Sequence, residues 1–268
     1  MKRYMISRRV RGFGLVELMI ALVLCSFLML GLATMVGNIK GTYGNQTEFA
    51  AINDKERYAT SLLGNLATTA GYFSLTQVTQ AYLTSGQAIP TAASVMPIET
   101  ASGYSYVAGQ GISGSTGSSA TTPDTLNVRF QVINGDGASP FNCLGQTAAP
   151  TGSTGSQLAT GVYESQISVV ASGSSSNLVC QTGSGSGLGT TQTVLIDGVT
   201  NMKVLYGFDS AGTGSVSQYL PASSISGANW NAVHSVQVTL TFNTTTMVTP
   251  LPPFVQTYNI KATPQPHH

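Results

Sequence analysis

Few side chains in this 268-residue sequence are of kinds that do chemistry. Gly109-Gln110-Gly111-Ile112-Ser113-Gly114 has the spacing G-x-G-x-x-G. A dinucleotide cradle needs that turn between a strand and a helix N-terminus, where backbone N–H groups can face a pyrophosphate. Here Ser115-Thr116-Gly117-Ser118-Ser119 follows, which has no helical pattern. The glycines therefore read as loop. The histidines are His234, His267 and His268, and their spacing suits no metal site. Serines are abundant, but no G-x-S-x-G elbow is present. Asp209-Ser210-Ala211-Gly212-Thr213-Gly214 offers one carboxylate, too few for calcium. The expectation is a protein with no catalytic residues, no metal and no cofactor.

Glu17 is the exception. It stands at the head of the uncharged run Leu18 to Val36, four residues after Phe13. A carboxylate beside such a run is costly unless it is paired, neutralised or hydrated at an interface. Phe13 to Val36 would span roughly 36 Å as a helix, enough to cross a hydrocarbon core of about 30 Å with some tilt. Lys2, Arg3, Arg8, Arg9 and Arg11 lie on its N-terminal side. The positive-inside rule then leaves the N-terminus cytoplasmic and everything after Lys40 across the membrane. A secretory signal would be cut after the apolar run, but no convincing A-x-A site follows it.

The segment Arg11-Gly12-Phe13-Gly14-Leu15-Val16-Glu17-Leu18 resembles the class III signal of type IV prepilins and pseudopilins. The resemblance implies that a prepilin peptidase cuts between Gly12 and Phe13 and that the new amine of Phe13 is methylated. It also implies that this amine pairs with the Glu17 carboxylate of an adjacent subunit, which helps to set the register of neighbouring helices. Many major pilins carry a proline at this helix's first bend, and Thr34 occupies the matching place here.

Only 8% of residues are charged, against roughly 25% in an ordinary soluble protein. Gly, Ser and Thr supply the polarity instead. The five basic residues before Phe13 leave six others against ten acidic ones. A phosphate-binding surface needs clustered Lys and Arg, so nucleic acid is not an expected partner. Of three cysteines, Cys25 lies in the apolar run. Cys143 and Cys180 lie in the polar body, on the oxidising side by the topology above, and are expected to form a disulfide; the alternative is two separate buried thiols.

The elements that would carry these residues follow from periodicity. Helical spacing continues to about Ala70, with Phe49, Ile52, Leu62, Leu63 and Leu66 on one apolar face and Gly71 as the cap. Gly37, Gly41 and Gly44 could loosen its middle. Apolar and polar residues then alternate in Leu126 to Val132, in Met202 to Phe208 and in Ser235 to Phe242, each a half-buried strand. Weaker strands are expected at Tyr163 to Val170, Thr193 to Ile196 and Phe254 to Ile260, and a turn at Asn134 to Gly137. Gly109 to Pro123, Thr151 to Gly155 and Ser172 to Thr191 read as surface loops, and His234 as a surface or edge residue. The fold class is α+β: a long N-terminal helix whose second half packs on an antiparallel sheet. The divisions are 1–12 leader, 13–40 membrane-spanning half of the helix, 41–72 amphipathic half, and 73–268 β-rich head.

A second resemblance lies in the C-terminal half. Val194-Leu195-Ile196-Asp197-Gly198-Val199, then Val204-Leu205-Tyr206-Gly207-Phe208-Asp209, are similar to the PilW-type minor pilins, as are Gly212, Gly214, Tyr219, Trp230, Val233 and the strand at Val236. Ala70-Gly71-Tyr72-Phe73 fits the same family. This resemblance implies a protein that primes type IV pilus assembly in a tip complex. The implied partners are a prepilin peptidase, other minor pilins, the major pilin and a PilY-type tip adhesin. The implied location is the inner membrane with a periplasmic head, then the pilus tip. A minor pseudopilin of the GspJ type is the second reading, and a membrane-anchored adhesin or binding module the third.

Overall fold

The computed structural model describes residues 14–73, 96, 98–101, 104–132, 140–146, 161–173, 175–184, 187–244 and 251–260. The turn expected at Asn134 to Gly137 and the loop at Thr151 to Gly155 lie outside them. The chain forms two compact units, Met1–Ala51 and Ile52–His268. One helix, α1 (Leu15–Thr69), supplies all the described regular structure of the first unit and opens the second.

In the first unit α1 is continuous through Gly37, Gly41 and Gly44. Its hydroxyl side chains bond back to the preceding turn: Ser26 Oγ donates to the Val23 carbonyl at 2.7 Å and Thr34 Oγ1 to that of Gly31 at 2.8 Å. Such internal bonds let polar side chains sit in an apolar helix without an unsatisfied donor.

In the second unit α1 becomes amphipathic. Ile52, Ala59, Leu63, Leu66 and Ala67 are buried at helical spacing. Leu62 is only partly buried against them, and Phe49, expected on this face, is exposed. The helix ends because Gly71 turns to φ +73°, a left-handed cap that a Cβ disfavours.

Two main antiparallel sheets follow, not the single sheet expected. The larger has the order β3 (Ile112–Ser115), β4 (Thr125–Val132), β5 (Gly161–Ser172), β6 (Ser175–Ser184), β7 (Leu188–Asp197). The smaller has the order β11 (Phe254–Asn259), β10 (Val233–Phe242), β8 (Val199–Phe208), β9 (Gln218–Pro221). β1 (Glu99–Ala101) and β2 (Tyr104–Tyr106) pair antiparallel as a separate two-stranded ladder. The chain passes from β7 to β8 through Gly198, at φ +75°. The Asp197-Gly198 pair is thus the point where it leaves one sheet for the other. Leu126, Val128, Ile167, Leu178 and Ile196 from the larger sheet share one core with Met202, Val204, Val236, Val238 and Leu240 from the smaller. Leu63 and Leu66 of α1 belong to the same core. Trp230 meets Tyr206 edge-on at 4.8 Å, and the Tyr206 hydroxyl donates to the Ser113 carbonyl across the sheets at 3.2 Å.

The segment Ser172 to Thr191 is not a loop. It holds a hairpin turn at Gly173, all of β6 and the first part of β7. Its Gly and Ser content hid Leu178, Val179 and Cys180, whose burial holds the strand in place. Gly109 to Pro123 likewise contains β3.

The G-x-G-x-x-G triplet is explained by packing. Gly109 adopts φ +79°. Gly111 lies flat against the helix end: a Cβ there would collide with the backbone N and Cα of Gly71 and stand 2.9 Å from the Ala70 carbonyl carbon. The same junction is stitched by Gly71 N–H to the Arg129 carbonyl at 2.9 Å and Arg129 N–H to the Gly111 carbonyl at 2.8 Å. A Cβ at Gly114 would meet the Tyr206 hydroxyl. Gly111→Ala is therefore expected to cost about 3 kcal/mol by overpacking backbone against backbone. Urea unfolding of the purified chain measures it, and a loss below about 1 kcal/mol, within the range of ordinary substitutions, would contradict the packing account.

Candidate functional site

The N-terminal candidates are Gly12, Phe13 and Glu17. Gly12 and Phe13 lie outside the described residues. Glu17 is in the first turn of α1, exposed, and its N–H donates to the Gly14 carbonyl at 3.0 Å. Leu18 N–H donates to the same carbonyl at 3.2 Å. The helix N-terminus carries partial positive charge, so a carboxylate in its first turn is favoured there. The side chains that follow, from Leu18 through Val36, are exposed. Their 18-residue window has a mean hydropathy of 2.5 with none of it buried. Among the described residues this is one helix long and apolar enough to cross a membrane. Cys25 is a free, exposed thiol on it.

In the head, Cys143 and Cys180 form a disulfide with Cα atoms 6.0 Å apart, inside the usual span. It fastens residues 140–146 to β6, and both cysteines are buried. Cys143 N–H also donates to Ser165 Oγ of β5 at 3.2 Å.

Charged groups elsewhere in the head are few, and their contacts are structural. Lys203 uses all three of its N–H bonds: to the carbonyls of Ser119 at 2.8 Å and Thr122 at 2.7 Å, and to Asp124 Oδ1 at 2.9 Å. Asp124 is buried and also accepts from Gly117 N–H and Val204 N–H, each at 2.8 Å. This pair pins the Ser- and Thr-rich segment after β3 onto the smaller sheet. Arg129 is fully buried on the opposite side of β4, donating to the carbonyls of Gln110 and Val107, with its guanidinium 4.4 Å from the Tyr106 ring centre. Sequence reasoning missed both roles. The available signal was that Arg129 and Lys203 are two of only three basic residues beyond Arg57. In so charge-poor a body, a basic side chain has a specific task.

Asp209 closes the loop after β8. Its Oδ1 accepts from Ala211 N–H at 3.0 Å and its Oδ2 from Gly214 N–H at 2.6 Å. His234 Nε2 lies 3.8 Å from Oδ2. His234 belongs to β10, an interior strand between β8 and β11, so it is not an edge residue, but its side chain is partly exposed at the surface as expected. Burial works to raise the Asp209 pKa, but the backbone donors of Gly214, Ala211 and Gly212, with His234 beside them, hold it below the usual carboxylate value. A depressed folded-state pKa contributes stability above the unfolded value of about 3.9, and that stability is lost as pH falls through the folded value. Amide protection at Ala211 and Gly214, corrected for intrinsic exchange, is expected to fall only below about pH 4. Asp209→Asn should show the lowered protection at neutral pH too; equal protection in both proteins would contradict the carboxylate's role. Among the described residues no three His, Cys, Asp or Glu side chains are grouped to hold a metal.

Two family models match the chain. Residues 7–33 match the prokaryotic N-terminal methylation motif, which covers Arg8, Arg9 and Arg11, Glu17 and the first part of α1. Residues 166–263 match type IV pilus-assembly protein W, from within β5 through β11. No curated protein matches the chain. The matched head segment contains the β7–Gly198–β8 passage, Asp209 and Trp230, so the pattern of the sequence corresponds to the place where the two sheets join. The chain is thus similar to type IV pilus-assembly protein W over residues 166–263 and carries the N-terminal methylation motif at its head, and together these support a component of the type IV pilus.

Proposed function

We propose that the chain is a minor pilin that primes assembly of the type IV pilus and occupies its tip complex. The observation that carries this reading is one chain with two parts: a methylation motif heading an exposed apolar helix, and a head with a PilW-type segment. In this reading a prepilin peptidase removes residues 1–12 on the cytoplasmic face and the amine of Phe13 is methylated. Residues 13–40 hold the protein in the inner membrane, 41–72 continue the helix, and 73–268 form a periplasmic head that later stands at the pilus tip. Its partners are other minor pilins, the major pilin and a PilY-type adhesin. It is not an enzyme and uses no cofactor. The match within the head, and not only in the N-terminal motif, favours the pilus over a secretion pseudopilus.

Glu17 then acts on register. In a bundle of helices its carboxylate faces the new amine of a neighbouring subunit, and a buried carboxylate without a partner is strongly disfavoured. Glu17→Ala is expected to leave the amount in the membrane unchanged or higher, because an intramembrane carboxylate is costly. It should also lower the share recovered with sheared pili. Comparing membrane and sheared fractions by quantitative immunoblot tests this, and normal incorporation of the variant would refute the role.

A further inference from the structure

Strand β7 ends the larger sheet. Among the described residues it is hydrogen-bonded on one side only, to β6. Natural edge strands are blunted with Lys, Pro or inward-facing charge, because a free row of N–H and C=O groups recruits other strands. Leu188 to Ile196 contains no proline and no charged residue. Register shifts fall within it, between Leu188 and Gln192 and between Val194 and Ile196, but Gln192, Thr193 and Val194 stay in regular register with Gln181, Cys180 and Val179. The one part of the edge that could extend the sheet is therefore its middle.

Beside that stretch lies a groove of about 440 Å³. Tyr58 and Leu62 of α1 form one wall, Phe141 and Leu144 of the disulfide-fastened segment another, and Val194 and Leu195 of β7 the third. Tyr58, Phe141, Leu144 and Val194 are exposed. Among the described residues no Asp, Glu, Lys, Arg or His lines it. Where β7 ends, Lys55 and Asp197 neutralise each other: Lys55 Nζ contacts Asp197 Oδ2 at 2.9 Å and donates to the Asp197 carbonyl at 3.2 Å. An occupant gains nothing from charge. The uncharged groove mixes Tyr58, Leu62, Phe141, Leu144 and Val194 with the polar side chains of Asn65, Asn142 and Thr193. A strand edge unpaired among the described residues, beside such a groove, matches strand addition, in which main-chain hydrogen bonds hold the partner and alternate side chains enter the groove.

We propose that the middle of β7 and this groove dock an extended, uncharged strand from the head of another pilin, with apolar side chains at alternate positions. That the partner is a pilin rests on the function proposed above. The disulfide acquires a second role here, since it holds Phe141 and Leu144 in place as the groove's outer wall.

The test uses the full chain in its native host. A benzoylphenylalanine photoprobe replaces Val194 in one strain and Phe141 in another, and the cross-linked peptides are sequenced after irradiation. The expected result is a cross-link from both probes to one uncharged strand of a different chain carrying the N-terminal methylation motif. Adding Val194→Lys should abolish the Phe141 cross-link while the chain stays in the membrane with its disulfide formed. No cross-link, a cross-link to a second copy of this chain, to a non-pilin protein or to a helix would each overturn the proposal. So would a Phe141 cross-link that survives Val194→Lys. Piliation of the deletion strain is scored in the same experiment. If deletion leaves piliation unchanged, the priming function fails, whereas a cross-link to a pilin strand upholds the edge in either case.

Discussion

Replacing both Cys143 and Cys180 by alanine is expected to destabilise the head by about 4 kcal/mol, the value of the chain-entropy relation for a loop of this length. The two residues are 37 positions apart. Without the bond the unfolded chain regains the freedom of that loop. The folded state loses the fastening between residues 140–146 and β6. Local bonds would survive: Leu144 N–H and Gln146 N–H both donate to Asn142 Oδ1, at 3.0 and 2.9 Å. The segment would keep its turn, and among the described residues the Cys143 N–H bond to Ser165 would remain to tie it to the sheet. Because both sulfurs are buried, reductant alone should act slowly on the folded protein. Denaturant unfolding of wild type and of the double variant gives the difference, and a loss below about 1 kcal/mol would contradict the fastening.

Deleting the gene is expected to remove most surface pili while the major pilin accumulates in the membrane. Restoring the chain should restore them. An initiator is needed once per filament, so sheared pili should contain far less of this chain than of the major pilin. The head supports a low-copy position. Its few charges are largely used internally, as with Lys203 on Asp124 and Lys55 on Asp197, which leaves little ionic complementarity to register many identical copies. Electron microscopy of cells and proteomics of sheared pili measure the two effects. Normal piliation, or equal copy number with the major pilin, would contradict the initiator role.

The helix, the apolar run, the cap at Gly71 and the strands around Val128, Val204 and Val238 were legible in the sequence, because period and side-chain type agree there. What could not be read was pairing. Nothing local distinguishes one sheet from two, since that depends on the φ +75° turn at Gly198 and on which strands share a core. The β6 hairpin was hidden by composition: Gly and Ser flank three buried residues, and sheet hydrogen bonds stabilise polar residues that periodicity ignores. His234 looked like an edge residue because the strand beyond it, β11, follows in sequence only after Phe242. The glycine triplet drew attention as a phosphate motif, and its reason is close approach to a helix end and to a tyrosine. The charge contacts of Arg129 and Lys203 join positions distant in sequence, so no spacing could announce them.

The central claim is that the chain is processed as a pilin and carried into the pilus. Mass spectrometry of the N-terminal peptide, on this chain recovered from sheared pili of the native host, tests it most directly. The account predicts an N-terminus at Phe13 bearing one methyl group, followed by Gly14, Leu15, Val16 and Glu17. A chain that retains Met1, or one cut beyond Val36, would contradict it.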